Sequence, residues 1–296
     1  MGTPLRQLTP YAWVAQSRVY ATNSGILLDG DGAYLLDPGI TSLELDAIAA
    51  FVAAHGAAVR GIVLTHAHWD HLLGPARFPQ AWVVATTGYM AVVAEHGDDL
   101  VRQVADWLST EGLMGIDAFV PPAPDFTFDD RMCIHLGAYR LQLMVAPGHA
   151  PDHAVLYEPS AGLLWAGDML SDAEIPMVMD TFSHYLRTLD WLSHLDVRVL
   201  VPGHGTVTDD VADIRGRLER DRTYLRSVRE CVAQAVSHGI SLGETVTRCS
   251  EVQFVQPDNY PNAHRWNIEQ AYGEMVGSVR GVIGWAQDWL TEGVEC

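Results

Sequence analysis

Three histidines and one aspartate stand within six residues, immediately after an apolar stretch that has the length of a strand. The segment reads Thr65-His66-Ala67-His68-Trp69-Asp70-His71. A strand that runs into a tight loop can turn alternating side chains to one side, so that His66 and His68 share one metal ion while Asp70 and His71 reach a second. Imidazole binds borderline metals well, and a carboxylate compensates their charge. The cluster predicts a metal site; the alternative is a run of surface or helix-capping histidines.

Three further segments each end an apolar strand with a glycine and then a residue that can bind a metal ion. These residues are His149, Asp168 and His204, which follow Gly148, Gly167 and Gly203. Glycine lets the backbone turn sharply and approach an ion closely at the end of a strand. Each segment alone is equally well a turn with a polar tip. Together with the first cluster, they supply seven metal ligands.

Two metal ions held a few ångströms apart predict a hydrolytic reaction. Such a pair can share a water molecule and lower its pKa to about 7, which generates hydroxide at neutral pH. One ion can then stabilise the oxyanion that forms on an attacked carbonyl, and the other can bind the leaving group. We predict Asp70 as the catalytic residue, which orients the hydroxide and shuttles its proton besides acting as a ligand.

The elements that position these residues are read from apolar periodicity and turn signals. Residues 11–38 predict a meander of antiparallel strands, followed by a helix over 43–54 and a buried strand over 59–65. The remaining predicted strands cover 82–86, 131–136, 139–146, 153–157, 163–166 and 197–201. Predicted helices cover 88–96 and 98–110, within an insertion at about 87–125, and 181–195.

Beyond residue 209 the strand pattern stops. Residues 211–238 and 263–290 both predict long helices, so we expect a catalytic domain over 1–209 and a helical region over 210–296 that packs on it. The stretch from His264 to Glu269 is interpreted as the start of a packed helix, and its alternative role is a cap over the active site.

From Tyr11 to Thr208 the motifs resemble, in content and order, those of the metallo-β-lactamase superfamily. The resemblance implies an α+β fold, a four-layer αββα sandwich with the metal site at one edge, here extended by a C-terminal helical appendage. It also implies a ligand assignment. The first ion takes His66, His68 and His149, the second takes Asp70, His71 and His204, and Asp168 bridges both.

The carboxylate of Asp168 makes the chain more similar to the glyoxalase II and lactonase branch than to other subgroups, although it departs from both members of that branch. Zinc β-lactamases often carry Cys or Ser where this chain has Asp168, and flavodiiron proteins typically have Glu where it has His68. Glyoxalase II uses cationic side chains, Lys among them, to hold glutathione. This chain contains no Lys, which disfavours a glutathione substrate. Lactonases often place Tyr just after the bridging aspartate, where Met169 stands here.

These observations predict a metallo-hydrolase that acts on an ester, thioester or lactone of a small, largely uncharged metabolite. The expected cofactors are two divalent metal ions, most simply Zn²⁺, although the same ligands accept iron or manganese. The alternatives are phosphodiester hydrolysis with the same metal pair, β-lactamase-like amide hydrolysis, and a non-catalytic metal-binding partner in a biosynthetic pathway.

Other residues are weaker candidates for the site. Asp152 and His153 follow His149 and could accept a hydrogen bond from the second nitrogen of a metal-bound imidazole, or form an exposed strand start. Apolar residues could line a substrate pocket, although residues of these types at helical spacing more often belong to the core. They are Trp69, Tyr89, Trp107, Met114, Met177, Met179 and Phe182.

Composition limits the class of partner. The formal net charge is −19, from 18 basic and 37 acidic residues. Such a charge repels phosphate backbones, so we expect a small-molecule substrate and no nucleic acid. No apolar run approaches the roughly 20 residues of a membrane span. The four cysteines are widely spaced, which predicts reduced thiols and a cytoplasmic location, and a homodimer is plausible from the symmetry that soluble oligomers commonly adopt.

Overall fold

The computed structural model describes residues 5–110, 119–254 and 262–277. The described chain divides into two compact units, the first within residues 1–145 and 152–161 and the second within residues 146–151 and 162–296. The boundary that we predict at residue 209 rests on the change from strands to helices there and stays a prediction.

A seven-stranded sheet forms the centre of the first unit. Its first four strands are antiparallel neighbours, as the predicted meander requires, and the last three run parallel to β4 and to one another. In order, the strands are β1 (Leu5–Gln7), β2 (Ala12–Gln16), β3 (Asn23–Asp29), β4 (Gly32–Leu36), β5 (Ala58–Val63), β6 (Trp82–Thr86) and β7 (Phe126–Phe128).

Parallel pairing in this sheet requires crossover connections, and α-helices provide two of the three, while the β5–β6 connection is a loop with two 3-10 turns. Helix α1 (Ser42–Ala54) connects β4 to β5, and Leu45, Ile48 and Val52 on its inner face pack into the core of the unit. A capping box between Thr41 and Glu44 fixes its start. Because β4 and β5 are parallel neighbours, the residues that follow them emerge at the same edge of the sheet.

The connection from β6 to β7 contains one long helix, α2 (Thr87–Thr110), where the sequence predicts two. That prediction is wrong because Gly97, taken as a break, lies within a continuous helix. Glycine costs a helix about 1 kcal/mol relative to alanine. Burial of Leu100, Val104 and Trp107 in the following turns offsets that cost. Residues 111–118 of the predicted insertion lie outside the described residues.

Three further strands of the first unit, β8 (Arg131–Leu136), β9 (Tyr139–Val145) and β10 (Ala154–Glu158), pair antiparallel in chain order. Their positions confirm the predicted strands to within one residue. The short strands β1 and β7 were not predicted, since three residues are too few to show a period.

The second unit contains a parallel strand pair, β11 (Leu163–Trp165) and β12 (Val199–Val201), connected by α3 (Phe182–Leu192). Within the described part of the C-terminal region, three helices follow: α4 (Val211–Ser237), α5 (Leu242–Cys249) and α6 (Ala263–Val276). The sequence did not predict α5. Helix α6 ends earlier than predicted because Gly277 adopts a left-handed conformation with φ 70°; residues 278–290 of that prediction lie outside the described residues.

A disulfide joins Cys231 of α4 to Cys249 at the end of α5, with their Cα atoms 5.9 Å apart. The prediction of reduced thiols is therefore wrong for these residues, and wide spacing in sequence does not exclude pairing in space. Among the residues that the structure describes, no helix combines the length and apolar character that a membrane crossing needs.

Candidate metal centre

The loop after β5 brings the four residues of the predicted first cluster together. A single 3-10 turn, Trp69–His71, bends the chain directly after His68. As a result, the ring of His66 lies 4.3 Å from that of His68 and 4.4 Å from that of His71, between centroids. His71 Nε2 lies 3.9 Å from Oδ2 of Asp70. The rings of His66 and His71 are fully buried.

Asp37 is a site residue that the sequence reasoning missed. It directly follows β4, is buried, and adopts a strained left-handed conformation with φ 42°. His71 Nδ1 donates to its Oδ2 at 2.9 Å, and Thr65 donates to the same carboxylate through its backbone N–H at 2.9 Å and its hydroxyl at 2.7 Å. The sequence showed only an aspartate at the end of a predicted strand; the parallel pairing of β4 with β5, which brings Asp37 to the histidines, is a finding of the structure.

The Asp37 carboxylate also determines which nitrogen of His66 is protonated. The Thr65 hydroxyl has one proton, which it donates to Asp37. Its oxygen must therefore accept from His66 Nδ1, which lies 2.9 Å away. Both His66 and His71 thus carry their proton on Nδ1, so that Nε2 is the atom with a lone pair for a metal ion.

Asp152 and His153 lie in the same unit as this loop. Asp152 Oδ2 accepts from the backbone N–H of Ala67 at 2.8 Å, so this carboxylate braces the loop between the first two histidines. Burial raises the pKa of Asp152 to about 7, against the lowering effect of the Ala67 N–H. The fully buried His153 ring lies 5.2 Å from that of His66. Neither residue is an exposed strand start.

In the second unit, the other three predicted ligands come together. Nε2 of His149 and Nε2 of His204 each lie 3.4 Å from Oδ2 of Asp168. The exposed fractions of these side chains are 6% for His149, 2% for His204 and 6% for Asp168. Three donor atoms from distant parts of the sequence thus converge in a buried position.

Backbone groups and glycines hold these ligands in place. His149 Nδ1 donates to the Met177 carbonyl at 3.1 Å, which leaves Nε2 facing Asp168. Gly148 has φ 139°, a conformation that side-chain-bearing residues rarely adopt. A Cβ atom at Gly203 would lie 2.1 Å from Oδ1 of Asp168. Glycine is therefore required before both predicted histidine ligands of this unit, as the sequence indicated.

Three of the predicted pocket residues, Tyr89, Trp107 and Phe182, belong to the core. Tyr89 and Phe182 are fully buried, and the Tyr89 hydroxyl donates to the Pro122 carbonyl at 2.8 Å. Trp107 is buried with Ile40 and Leu73. Met177 and Met179 contact His149 through their backbones. Met114 lies outside the described residues.

Trp69 is partly exposed, as are Met177 and Met179, and Tyr20 is an aromatic neighbour of Trp69 that the sequence reasoning missed. The Tyr20 ring lies 6.1 Å from that of Trp69 in an edge-to-face arrangement and is 47% exposed. Tyr20 and Ala21 have φ values of 53° and 50° at the turn between β2 and β3. An aromatic held exposed on a strained turn is a candidate contact for substrate.

Both units therefore present buried His and Asp groups that could hold divalent metal ions. The donor set fits such ions because imidazole and carboxylate are the usual ligands of zinc in hydrolases. In His66, His71 and His149, the second ring nitrogen already has an acceptor, as metal-bound imidazoles require.

The family model described as the metallo-β-lactamase superfamily matches residues 17–204. The chain is a member of the metallo-β-lactamase superfamily. Among curated superfamily relatives, a β-lactamase-like protein 2 homologue from Caenorhabditis elegans is 23% identical over 73% of this chain and 72% of its own length. The hydroxyacylglutathione hydrolase of Francisella tularensis is 27% identical over 51% of this chain, and the match spans 48% of that enzyme.

Solved structures confirm the fold class that the sequence predicts, a metallo-β-lactamase fold with two sheets, flanking helices and additional C-terminal helices. A superfamily protein from Thermus thermophilus matches with a TM-score of 0.68 at 21% identity, over 92% of this chain and 94% of its own. A sec-alkylsulfatase from Pseudomonas sp. matches with a TM-score of 0.71 at 18% identity, over 93% of this chain and 50% of its own.

Proposed function

We propose that this chain is a hydrolase with two divalent metal ions, most simply Zn²⁺, that acts on an ester, thioester or lactone of a small, largely uncharged metabolite. The observation that carries the proposal is the position of Asp168, whose Oδ2 lies 3.4 Å from Nε2 of both His149 and His204. A carboxylate so placed suits a ligand shared between two ions.

The proposal assigns the seven residues to two ions. One ion would take His66, His68 and His149, the other would take Asp70, His71 and His204, and Asp168 would be shared. When bound, the ions would lower the pKa of a shared water molecule and polarise the bond to be broken. Asp70, whose side chain is 10% exposed, would hold the proton that the attacking water releases.

Charge and aromatic contacts support the proposed substrate class. A net charge of −19 disfavours polyanionic substrates. The exposed Tyr20 ring beside Trp69 suits an apolar acyl group. A relative that is named for hydrolysing hydroxyacylglutathione adds support for an acyl substrate.

We also propose that the substrate is a small molecule and that the protein forms a homodimer. The cytoplasmic location also stays a proposal, and the Cys231–Cys249 disulfide weighs against it because disulfides are rare in the cytosol.

The test uses the full chain loaded with Zn²⁺ and, in parallel, with Fe²⁺ or Mn²⁺. Its substrate panel contains p-nitrophenyl acyl esters, thioesters, lactones, bis-p-nitrophenyl phosphate and a chromogenic β-lactam. We expect turnover of acyl compounds by the wild type and by Asp196→Asn, a control whose side chain is 81% exposed, and none by Asp168→Asn.

Turnover of the phosphate alone would replace the proposal with phosphodiester hydrolysis, and turnover of the β-lactam alone with amide hydrolysis. A preparation that holds two ions and hydrolyses none of these compounds would favour a non-catalytic metal-binding protein.

A further inference from the structure

The segment Pro176–Met179 presents its backbone alternately to two partners. Towards His149, the Met177 carbonyl accepts from the imidazole Nδ1 at 3.1 Å, and the Met179 N–H donates to the His149 carbonyl at 2.9 Å. Towards the other side, the Pro176 carbonyl and the N–H and carbonyl of Val178 form hydrogen bonds with side chains of α6. This alternation is that of an extended strand, whose successive groups face opposite sides.

Asn267 makes two of the three bonds from α6. Its side chain is fully buried; Nδ2 donates to the Pro176 carbonyl at 2.8 Å and Oδ1 accepts from the Val178 N–H at 2.9 Å. Asn267 therefore clamps the chain on both sides of Met177, the residue whose carbonyl holds the His149 imidazole. Trp266 adds a bond from Nε1 to the Val178 carbonyl at 2.9 Å.

A chain of hydrogen bonds fixes the orientation of the Asn267 amide. The Cys249 carbonyl can only accept, so His264 donates to it from Nε2 at 3.1 Å and accepts at Nδ1 from the Tyr224 hydroxyl at 2.8 Å. The Tyr224 oxygen then accepts from Asn267 Nδ2 at 3.1 Å. The far end of this chain, Cys249, is covalently joined to α4 by the disulfide.

We propose that Asn267 is a positioning residue for the metal ligand His149. By fixing the Met177 carbonyl, Asn267 keeps the His149 proton on Nδ1 and directs Nε2 towards Asp168. The C-terminal helix α6 thereby acts on the metal centre without contributing a ligand. This inference rests on the proposed function, in which His149 binds an ion.

The informative substitution is Asn267→Leu, which keeps the side-chain size and removes every polar bond. Its matched control is Tyr272→Phe on the same helix, which removes a single bond from the hydroxyl to the Ile240 carbonyl at 3.1 Å, away from the 176–179 segment. Each full-length variant is stripped of metal and titrated with Zn²⁺ against a competing chelator. Co²⁺-loaded samples give the visible absorption spectrum, which reports ligand geometry.

We expect Asn267→Leu to weaken Zn²⁺ binding by roughly 10-fold, the usual effect of losing a residue that orients a ligand, and to alter the Co²⁺ spectrum. Tyr272→Phe should bind like the wild type even where its melting temperature falls. A purely structural role for Asn267 predicts that both variants lose thermal stability and keep the wild-type affinity and spectrum. That result would overturn the inference.

His149→Ala separates failure of the inference from failure of the proposed function. Unchanged Zn²⁺ binding in His149→Ala would refute the metal role of His149 itself. Weakened binding in His149→Ala beside wild-type binding in Asn267→Leu refutes only the inference. If Asn267→Leu does not fold, Asn267→Ser decides, since its short hydroxyl cannot bond to both the Pro176 carbonyl and the Val178 N–H: weaker binding supports the inference and unchanged binding overturns it.

Discussion

His71 Nδ1 donates to Oδ2 of Asp37 at 2.9 Å, although 34 positions separate the two residues in sequence. Asp37 also accepts from Thr65, whose hydroxyl in turn accepts from His66 Nδ1. One buried carboxylate thus orients two imidazoles of the candidate metal centre. Since it touches none of the ligating nitrogens, its removal should weaken the site without deleting a ligand.

Replacing Asp37 with Asn should weaken Zn²⁺ binding by roughly 10- to 100-fold. An Asn side chain cannot replace both acceptor oxygens. If its amide oxygen accepts from the Thr65 N–H, its NH₂ faces the proton on His71 Nδ1; in the flipped orientation its NH₂ faces the Thr65 N–H. One hydrogen bond is lost in either case. Chelator competition measures the affinity. Asp46→Asn, a change at a side chain that is 63% exposed, serves as the control. Equal affinity in all three proteins would mean that Asp37 does not orient the ligands.

Burial raises the pKa of Asp221 to about 7, although Arg220 and the Leu170 N–H lower it. Between about pH 4 and 7 Asp221 therefore binds more protons in the folded state than in the unfolded state, so its contribution to stability falls as pH rises through this window. Asp221→Asn cannot ionise and should lack this contribution. The free energy of unfolding of Asp221→Asn minus that of the wild type should therefore increase by up to ~4 kcal/mol from pH 4 to 8.

Urea denaturation of both proteins across that pH range measures this difference, because groups common to both cancel in the comparison. A difference that does not change with pH would show that Asp221 stays ionised beside Arg220 in the folded state.

Replacing Tyr20 with Ala should raise KM for substrates with apolar acyl groups by about 10-fold, the equivalent of losing one aromatic contact of about 1.4 kcal/mol. The value of kcat should change little, since Tyr20 is not among the proposed metal ligands. Steady-state kinetics on a series of acyl chain lengths checks this. Leu43→Ala, at a side chain that is 82% exposed, is the control. A uniform KM across the series for wild type and variant would exclude Tyr20 from substrate binding.

The disulfide between Cys231 and Cys249 spans 18 positions, for which loop-closure entropy predicts a stabilisation of about 3 kcal/mol. A double variant with Ser at both positions should lose about that amount in urea denaturation. Added reductant should destabilise the wild type more than the double variant. Identical sensitivity to reductant in both proteins would indicate that this bond does not form in solution.

The sequence predicted those parts of the site that depend on local pattern. Each predicted ligand follows a strand that the structure contains, because strand length, apolar runs and glycine are all local properties. Asp37 could not be recognised in this way. Its Asp-Pro-Gly context indicates a turn, and only the parallel pairing of β4 with β5 brings it to His71.

The same limit explains the remaining misses. Helix α5 has eight residues, too few for a clear helical period, and its capping box between Ser241 and Glu244 was the available signal. The partners of Cys231 and Asn267 are set by how helices pack, which spacing along the chain does not encode.

The absence of a side chain at Gly203 limits which positions of this protein can vary in sequence. Any substitution there would push a carbon into the Asp168 carboxylate, so the turn that delivers His204 tolerates no variation. The Tyr20 side chain, on the turn between β2 and β3, is 47% exposed, so its replacement displaces no buried carboxylate. New substrate preferences should therefore arise by amino-acid substitutions on this hairpin, while the sequence of the turns that carry the predicted metal ligands stays constant.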